Sequence, residues 1–236
     1  MMRLGIMQPY FFPYPGYFSL IKHTEEFVLL DEVQFIRHGW IERNRILKPT
    51  IGWQYVRAPL KRHSRETKIK DVEIRNEEAW REKIIAQLQH YKRLAPFFPR
   101  VIALLQGAFS REFERIADLD KAMLETVCGY LGIQTPIAVF SEMGLAIGSV
   151  NAPDEWALAI CRAMGATEYW NPPGGMGLFD RSKYEASHVD LRFQKIRLAK
   201  YDQKRPSFEP GLSIIDMMMF NSVERINEML DDYELV

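Results

Sequence analysis

Residues Arg3 to Leu30 read RLGIMQPYFFPYPGYFSLIKHTEEFVLL, and this stretch decides the fold. RLGIM at 3–7 is a short apolar run bounded by punctuation, the pattern of a buried strand. Gln8 to Gly16 carry Pro9, Pro13 and Pro15, which remove amide donors and bias the preceding residues to extended geometry, so a rigid loop follows. From Tyr17 to about Thr24 the apolar residues Tyr17, Phe18, Leu20 and Ile21 recur at helical spacing, with Gly16 or Pro15 as the start. EFVLL at 26–30 is a second apolar strand. A helix crossing between two buried strands predicts a right-handed βαβ unit in a parallel sheet. The loop leaving the first strand then lies where open α/β sheets take ligands.

Working outward, Val33 to Ile36 are expected to continue extended after the acidic break at Asp31-Glu32. Trp53 to Pro59 and Ile69 to Ile74 read as further strands around the basic segment Lys61 to Lys70. From Asn76 to about Tyr130 the helical period takes over, in three helices interrupted at Pro96, Pro99 and Ser110-Arg111. PIAVF at 136–140 returns to strand, and Trp156 to Met164 form a helix that Gly165 closes. ATEYWN feeds a strand into the turn Pro172-Pro173-Gly174-Gly175. LRFQKI at 191–196 alternates as a strand does, and Ile214 to Leu230 form one or two terminal helices. The expected fold is therefore α/β, a parallel-sheet Rossmann-like core with an inserted or appended helical region. Its expected parts are an N-terminal α/β part (1–75), a helical region (76–132) and a C-terminal α/β and helical part (133–236) on the same core.

Composition narrows the function classes. The 236 residues are 47% apolar and 26% charged, with 31 Lys plus Arg against 31 Asp plus Glu, so no net field draws the chain toward nucleic acid or anionic lipid. No run approaches the ~18 consecutive apolar residues of a membrane helix. The apolar stretch near the start is broken by prolines before it reaches signal-peptide length, and a cytoplasmic location is expected. Cys128 and Cys161 lie in apolar helical sequence without CxxC spacing and read as buried reduced thiols. His23, His63, His90 and His188 show no metal-site spacing, so no tightly bound metal is expected.

Three segments could carry chemistry. In the first, the aromatic residues Tyr10, Phe11, Phe12, Tyr14 and Tyr17 beside Gln8 and Gly16 form either a proline-stiffened corner or a stacking platform for a sugar or base. Neither GxGxxG nor a Walker sequence is present. In the second, Asp31 and Gln34 precede RHGWIERNR. His38 suits proton transfer, with Asp31 or Gln34 aligning it. Trp40, Asn44 and the guanidinium pair Arg43 and Arg45 suit a diphosphate or carboxylate, the alternative being a solvated charged face. In the third, Asn171, Gly174 and Gly175 either cradle an anion with backbone amides or simply turn the chain. Asp216, in SIIDMMMF, either bonds within its helical region or reaches the site.

IMQPYFFPYPGYFSLI, FVLLDEVQF, RHGWIERNRI, GATEYWNPPGG and SIIDMMMFN together resemble the WbqC-like proteins, found among O-antigen and other surface-polysaccharide gene sets. The resemblance spans nearly the whole chain. It implies acyl or aminoacyl transfer, glycyl-like, onto an amino sugar of a nucleotide-linked precursor, and it carries no catalytic residues with it. The layout of PGYFSLI between two strands is also similar to HIGH-motif nucleotidylyltransferases and pantothenate synthetase. The chain departs from them where Tyr14 and Tyr17 stand in the places of the two motif histidines, and it has no KMSKS-like lysine loop. The expected function is thus an acyl or aminoacyl transferase of surface-glycan or nucleotide-sugar metabolism, with ATP or an activated acyl donor as co-substrate. An adenylate-forming ligase and a non-catalytic nucleotide-sugar binding subunit, with homo-oligomers allowed in either case, are the alternatives.

Overall fold

The computed structural model describes residues 2–236. β1 (Arg3–Met7) is followed by the loop 8–14 and α1 (Pro15–Lys22), whose opening proline lacks an amide that would have no helical partner there. β2 (Glu26–Leu29) pairs parallel to β1, from Leu4 opposite Glu26 to Met7 opposite Leu29. The chain then leaves the sheet. β3 (Arg43–Leu47) and β4 (Trp53–Arg57) make a separate antiparallel hairpin, and α2 (Trp80–Gln87), α3 (Phe98–Phe109) and α4 (Ile116–Leu131) follow. β5 (Ile137–Val139) returns parallel to β2. α5 (Glu155–Met164) leads to β6 (Glu168–Asn171), which pairs parallel to the other flank of β1. α6 (Arg181–Ala186) leads to β7 (Asp190–Ile196), parallel to β6. α7 (Ile214–Phe220) and α8 (Val223–Asp231) bring the chain to β8 (Tyr233–Leu235), antiparallel to β7.

The sheet order is β5-β2-β1-β6-β7-β8. Counted by appearance in the sheet, that is third, second, first, fourth, fifth, sixth, the order of the Rossmann fold, and the order reverses between β1 and β6. Both faces are covered, which is why the strands read as near-continuous apolar runs. Leu4, Ile6, Val28 and Tyr169 pack with Ile160 and Cys161 of α5 and Tyr184 of α6. Phe27, Leu29 and Trp170 belong to the larger core that includes Phe18 of α1, Val127 of α4, Met218 of α7 and Ile226 of α8. Both cysteines are free and buried, and burial pushes their thiols up to about 12.

Two strand expectations are corrected, and one strand was not expected. Ile69–Ile74 is not a strand: Ile69–Asp71 form a 3-10 turn whose amides go to different partners, Ile69 to the Val33 carbonyl and Lys70 to that of Asp31, while Ile74 bonds Glu114. A segment shared among several neighbours builds no ladder. Val33–Ile36 likewise has only an isolated bridge, Gln34 with Lys68. Arg43–Leu47, in contrast, is a strand. Its buried side is Asn44 and Ile46, and its other face carries Arg43 and Arg45 beside Tyr55 and Trp53 of β4. Charged residues at alternate positions hid the period.

Asp120 of α4 is fully enclosed, and neither carboxyl oxygen has a hydrogen-bond partner. Desolvation, with a smaller contribution from the Glu42 carboxyl, holds it well above the usual carboxylate range, so the folded protein keeps it protonated. A carboxyl whose folded pKa is raised favours the fold below its unfolded value and costs stability as pH rises past that value. Asp120→Asn should therefore raise Tm at pH 7–8, by about 2–4 °C for each kcal/mol recovered, and have little effect near pH 4. Thermal denaturation across that range measures it.

Candidate functional site

A cleft of about 1150 Å³ opens where the sheet order reverses. Met7 and Gln8 leave the end of β1, and Asn171 and Pro172 the end of β6, to form its floor. Tyr10 and Tyr14 line one wall, continued by Trp40, Asn44 and Arg45. The Gly174-Gly175 turn with Leu178 and the entry to α5 with Pro153 and Trp156 form the opposite side. Glu32, Gln34 and Ile36 stand at the rim.

The aromatic loop is held from outside itself. The Phe11 amide donates to the Trp40 carbonyl (2.9 Å), and the Phe11 carbonyl accepts from Asn44 Nδ2 (3.2 Å). The Phe12 carbonyl accepts from Ser213 Oγ (2.7 Å) and the Pro13 carbonyl from the Ile214 amide (2.9 Å). Tyr17 donates its hydroxyl to the Gln8 carbonyl (2.8 Å). These partners hold Phe12 at a φ of 42°, a left-handed conformation that costs a non-glycine residue energy. Phe11, Phe12 and Tyr17 are buried in the core and do not face the cleft, so the platform is Tyr10 and Tyr14 alone. Gly16 serves it indirectly, since a β-carbon there would overlap the Tyr14 ring, which lies across the start of α1. Burial, with Tyr10 adding to it, pushes the Tyr14 phenol up to about 12 and keeps it a neutral donor.

Arg45 is the cationic side chain of the cleft among the described residues. Its guanidinium lies over the Trp40 ring (5.3 Å) and the Trp53 ring (5.1 Å) and donates Nη2 to the Gly211 carbonyl (2.9 Å). Its Nε is buried with no partner. Gly211 has φ 65°, and a β-carbon there would lie 2.9 Å from Nη2, so the close approach needs glycine. Arg43 instead stacks over Tyr55 (4.3 Å) and faces a neighbouring groove with Arg57 and Lys83. The expected meeting of two arginines with the aromatic loop is thus a meeting with one.

His38 is exposed, has φ 64° and does not line the cleft. Asp31 is enclosed and accepts from the Ser141 amide (3.0 Å) and hydroxyl (2.5 Å). Gln34 lines the rim while donating to the Arg65 carbonyl. Asn171 donates to the Tyr169 hydroxyl (2.6 Å) beside Gly175. Glu32 would be raised by burial, but Lys68 and Lys70 bind it and hold it below the usual carboxylate range. Asp216 lies outside the cleft, its oxygens accepting from Tyr91, Tyr201 and Gln203. Sequence reasoning missed Glu32, Trp53, Trp156 and Gly211. Only the juxtaposition of distant segments marks them. Among the described residues no three His, Cys, Asp or Glu side chains converge as a metal site, and no helix is long and apolar enough to cross a membrane.

The chain matches the WbqC-like protein family over residues 8–228. It is similar to an uncharacterized protein of Mycobacterium tuberculosis, Rv1507c, at 28% identity over 221 residues, covering 92% of this chain and 93% of the relative. No solved structure matches it significantly.

Asn44 is the side chain that binds hairpin to loop, since its Oδ1 also accepts from the Arg45 amide (2.8 Å). Asn44→Ala leaves the Phe11 carbonyl and the Arg45 amide without partners, at about 1–3 kcal/mol. Chemical denaturation should show that loss.

Proposed function

This chain belongs to the WbqC-like protein family, and from that premise we propose that it is an enzyme of surface-glycan or nucleotide-sugar metabolism that transfers an acyl or aminoacyl group to the amine of a nucleotide-linked amino sugar. The observation that carries the reading is the cleft, which joins the Tyr10 and Tyr14 rings of the loop, amide side chains and one guanidinium without a carboxylate partner at the point where Rossmann-order sheets take ligands. Its 1150 Å³ exceeds what a single sugar fills and accommodates a donor beside the acceptor. Tyr10 and Tyr14 would stack against the sugar, Gln8 and Asn171 would orient it by hydrogen bonds, and Arg45 would take an anionic group.

No Ser, Thr, Cys, Lys or His side chain lines the cleft among the described residues. That favours direct transfer without a covalent acyl-enzyme. The free amine attacks the activated carbonyl, a C–N bond forms, the bond to the leaving group breaks, and the ammonium proton passes to solvent or to the leaving group. Glu32, held ionised by its two lysines, is a weak base, so the amine itself must be unprotonated. The protein contributes proximity and orientation.

The test is mass spectrometry of nucleotide amino sugars incubated with the protein and acyl or aminoacyl donors, with and without ATP. A mass gain on the sugar amine is expected, at least about tenfold slower for Tyr14→Ala. Intact-protein mass should remain unchanged with donor alone. Absence of product from every donor, or pyrophosphate release with no acylated sugar, would remove the proposal.

A further inference from the structure

Resting on that reading, we infer that the nucleotide-linked substrate lies reversed relative to a Rossmann dinucleotide, its sugar over Tyr14 at the start of α1 and its diphosphate on Arg45 of the hairpin. In a Rossmann site the first strand runs into a glycine-rich turn, and the pyrophosphate sits on amides at the helix N-terminus. Here the same turn carries Pro9, Pro13 and Pro15, which have no amide hydrogen to offer. The carbonyls of Phe11, Phe12 and Pro13 are engaged by Asn44, Ser213 and Ile214, so the loop is not free to rearrange around an anion. The Tyr14 ring covers the helix start, and Gly16 is the residue that lets it do so. A phenol face there suits a sugar ring and shields the helix end from a phosphate.

The anion-binding capacity lies farther along the same wall, at the hairpin. Arg45 has no carboxylate partner among the described residues, its Nε is buried and unbonded, and its guanidinium lies against the Trp40 and Trp53 rings. An unpaired guanidinium fixed by stacking is pre-organised for a phosphate oxygen pair. Because Arg43 faces the neighbouring groove, a single guanidinium meets the diphosphate, and the remaining charge lies toward the open rim.

Binding of UDP-glucosamine, dTDP-glucosamine, UDP and dTDP, measured by calorimetry on the parent, Arg45→Gln, Arg45→Lys and Tyr14→Ala, tests the orientation. In the reversed pose Arg45→Gln weakens the nucleotide sugar and the bare nucleotide alike, by about tenfold or more, and Arg45→Lys recovers only part of it. Tyr14→Ala weakens the nucleotide sugars and leaves the bare nucleotides unchanged. The opposite pattern, in which Tyr14→Ala alters bare-nucleotide binding and Arg45→Gln does not, overturns the pose while keeping the function. A parent that binds none of the four overturns both. Circular dichroism of each variant separates lost binding from lost fold.

Discussion

A chain segment that can join neither helix nor sheet must find partners for its carbonyls elsewhere, and in this molecule that segment is the loop between β1 and α1. Its prolines forbid the local solutions. The buried carbonyls of Phe11, Phe12 and Pro13 therefore recruit Asn44 from the hairpin and Ser213 and Ile214 from the start of α7. Three regions far apart in sequence are locked together by that requirement. The cleft is the space they leave.

A second polar knot keeps the third region in place. Asp216 is buried in α7, and desolvation raises its carboxyl even though Tyr201, Tyr91 and Gln203 all donate to it. Tyr91 also accepts the Leu47 amide, so the knot reaches β3. Gln203 pairs with both backbone groups of its neighbourhood at Glu209, which shapes the loop leading to Gly211. The position of Arg45 is thus set at its own strand and again through this loop, whose Gly211 carbonyl it binds. Such a network is rigid only if every member is satisfied.

The sheet was legible where its strands are largely buried and read as short apolar runs between turns. The parallel β1-α1-β2 unit carries that mark, as do β5 and β6, whereas β7 shows itself by alternation and the short, part-exposed β8 by neither sign. The hairpin was not legible, since the residues Arg43 and Arg45 on its polar face look like loop chemistry. Two residues along a strand separate side chains by roughly 7 Å, enough to send one guanidinium into the cleft and the other into the next groove. Sequence spacing does not say where the edge of a cavity falls. Phe12 and Tyr17 were equally ambiguous, because an aromatic residue in a proline-rich loop packs inward or outward according to which backbone partners arrive. Trp156 and Gly211 gave no local sign, for they matter only through neighbours that the fold supplies.

The dependence of the aromatic loop on Ser213 and Ile214 also has a meaning in time. While the chain is still emerging from the ribosome, the first strand and helix can form, yet the carbonyls at Phe12 and Pro13 lack their donors until residues 213 and 214 have been made, about 200 residues later. The cleft wall that this loop builds is therefore completed only after strands β1 to β7 have all been made. The loop keeps its final shape only once α7 and α8, which also complete the main core, have docked.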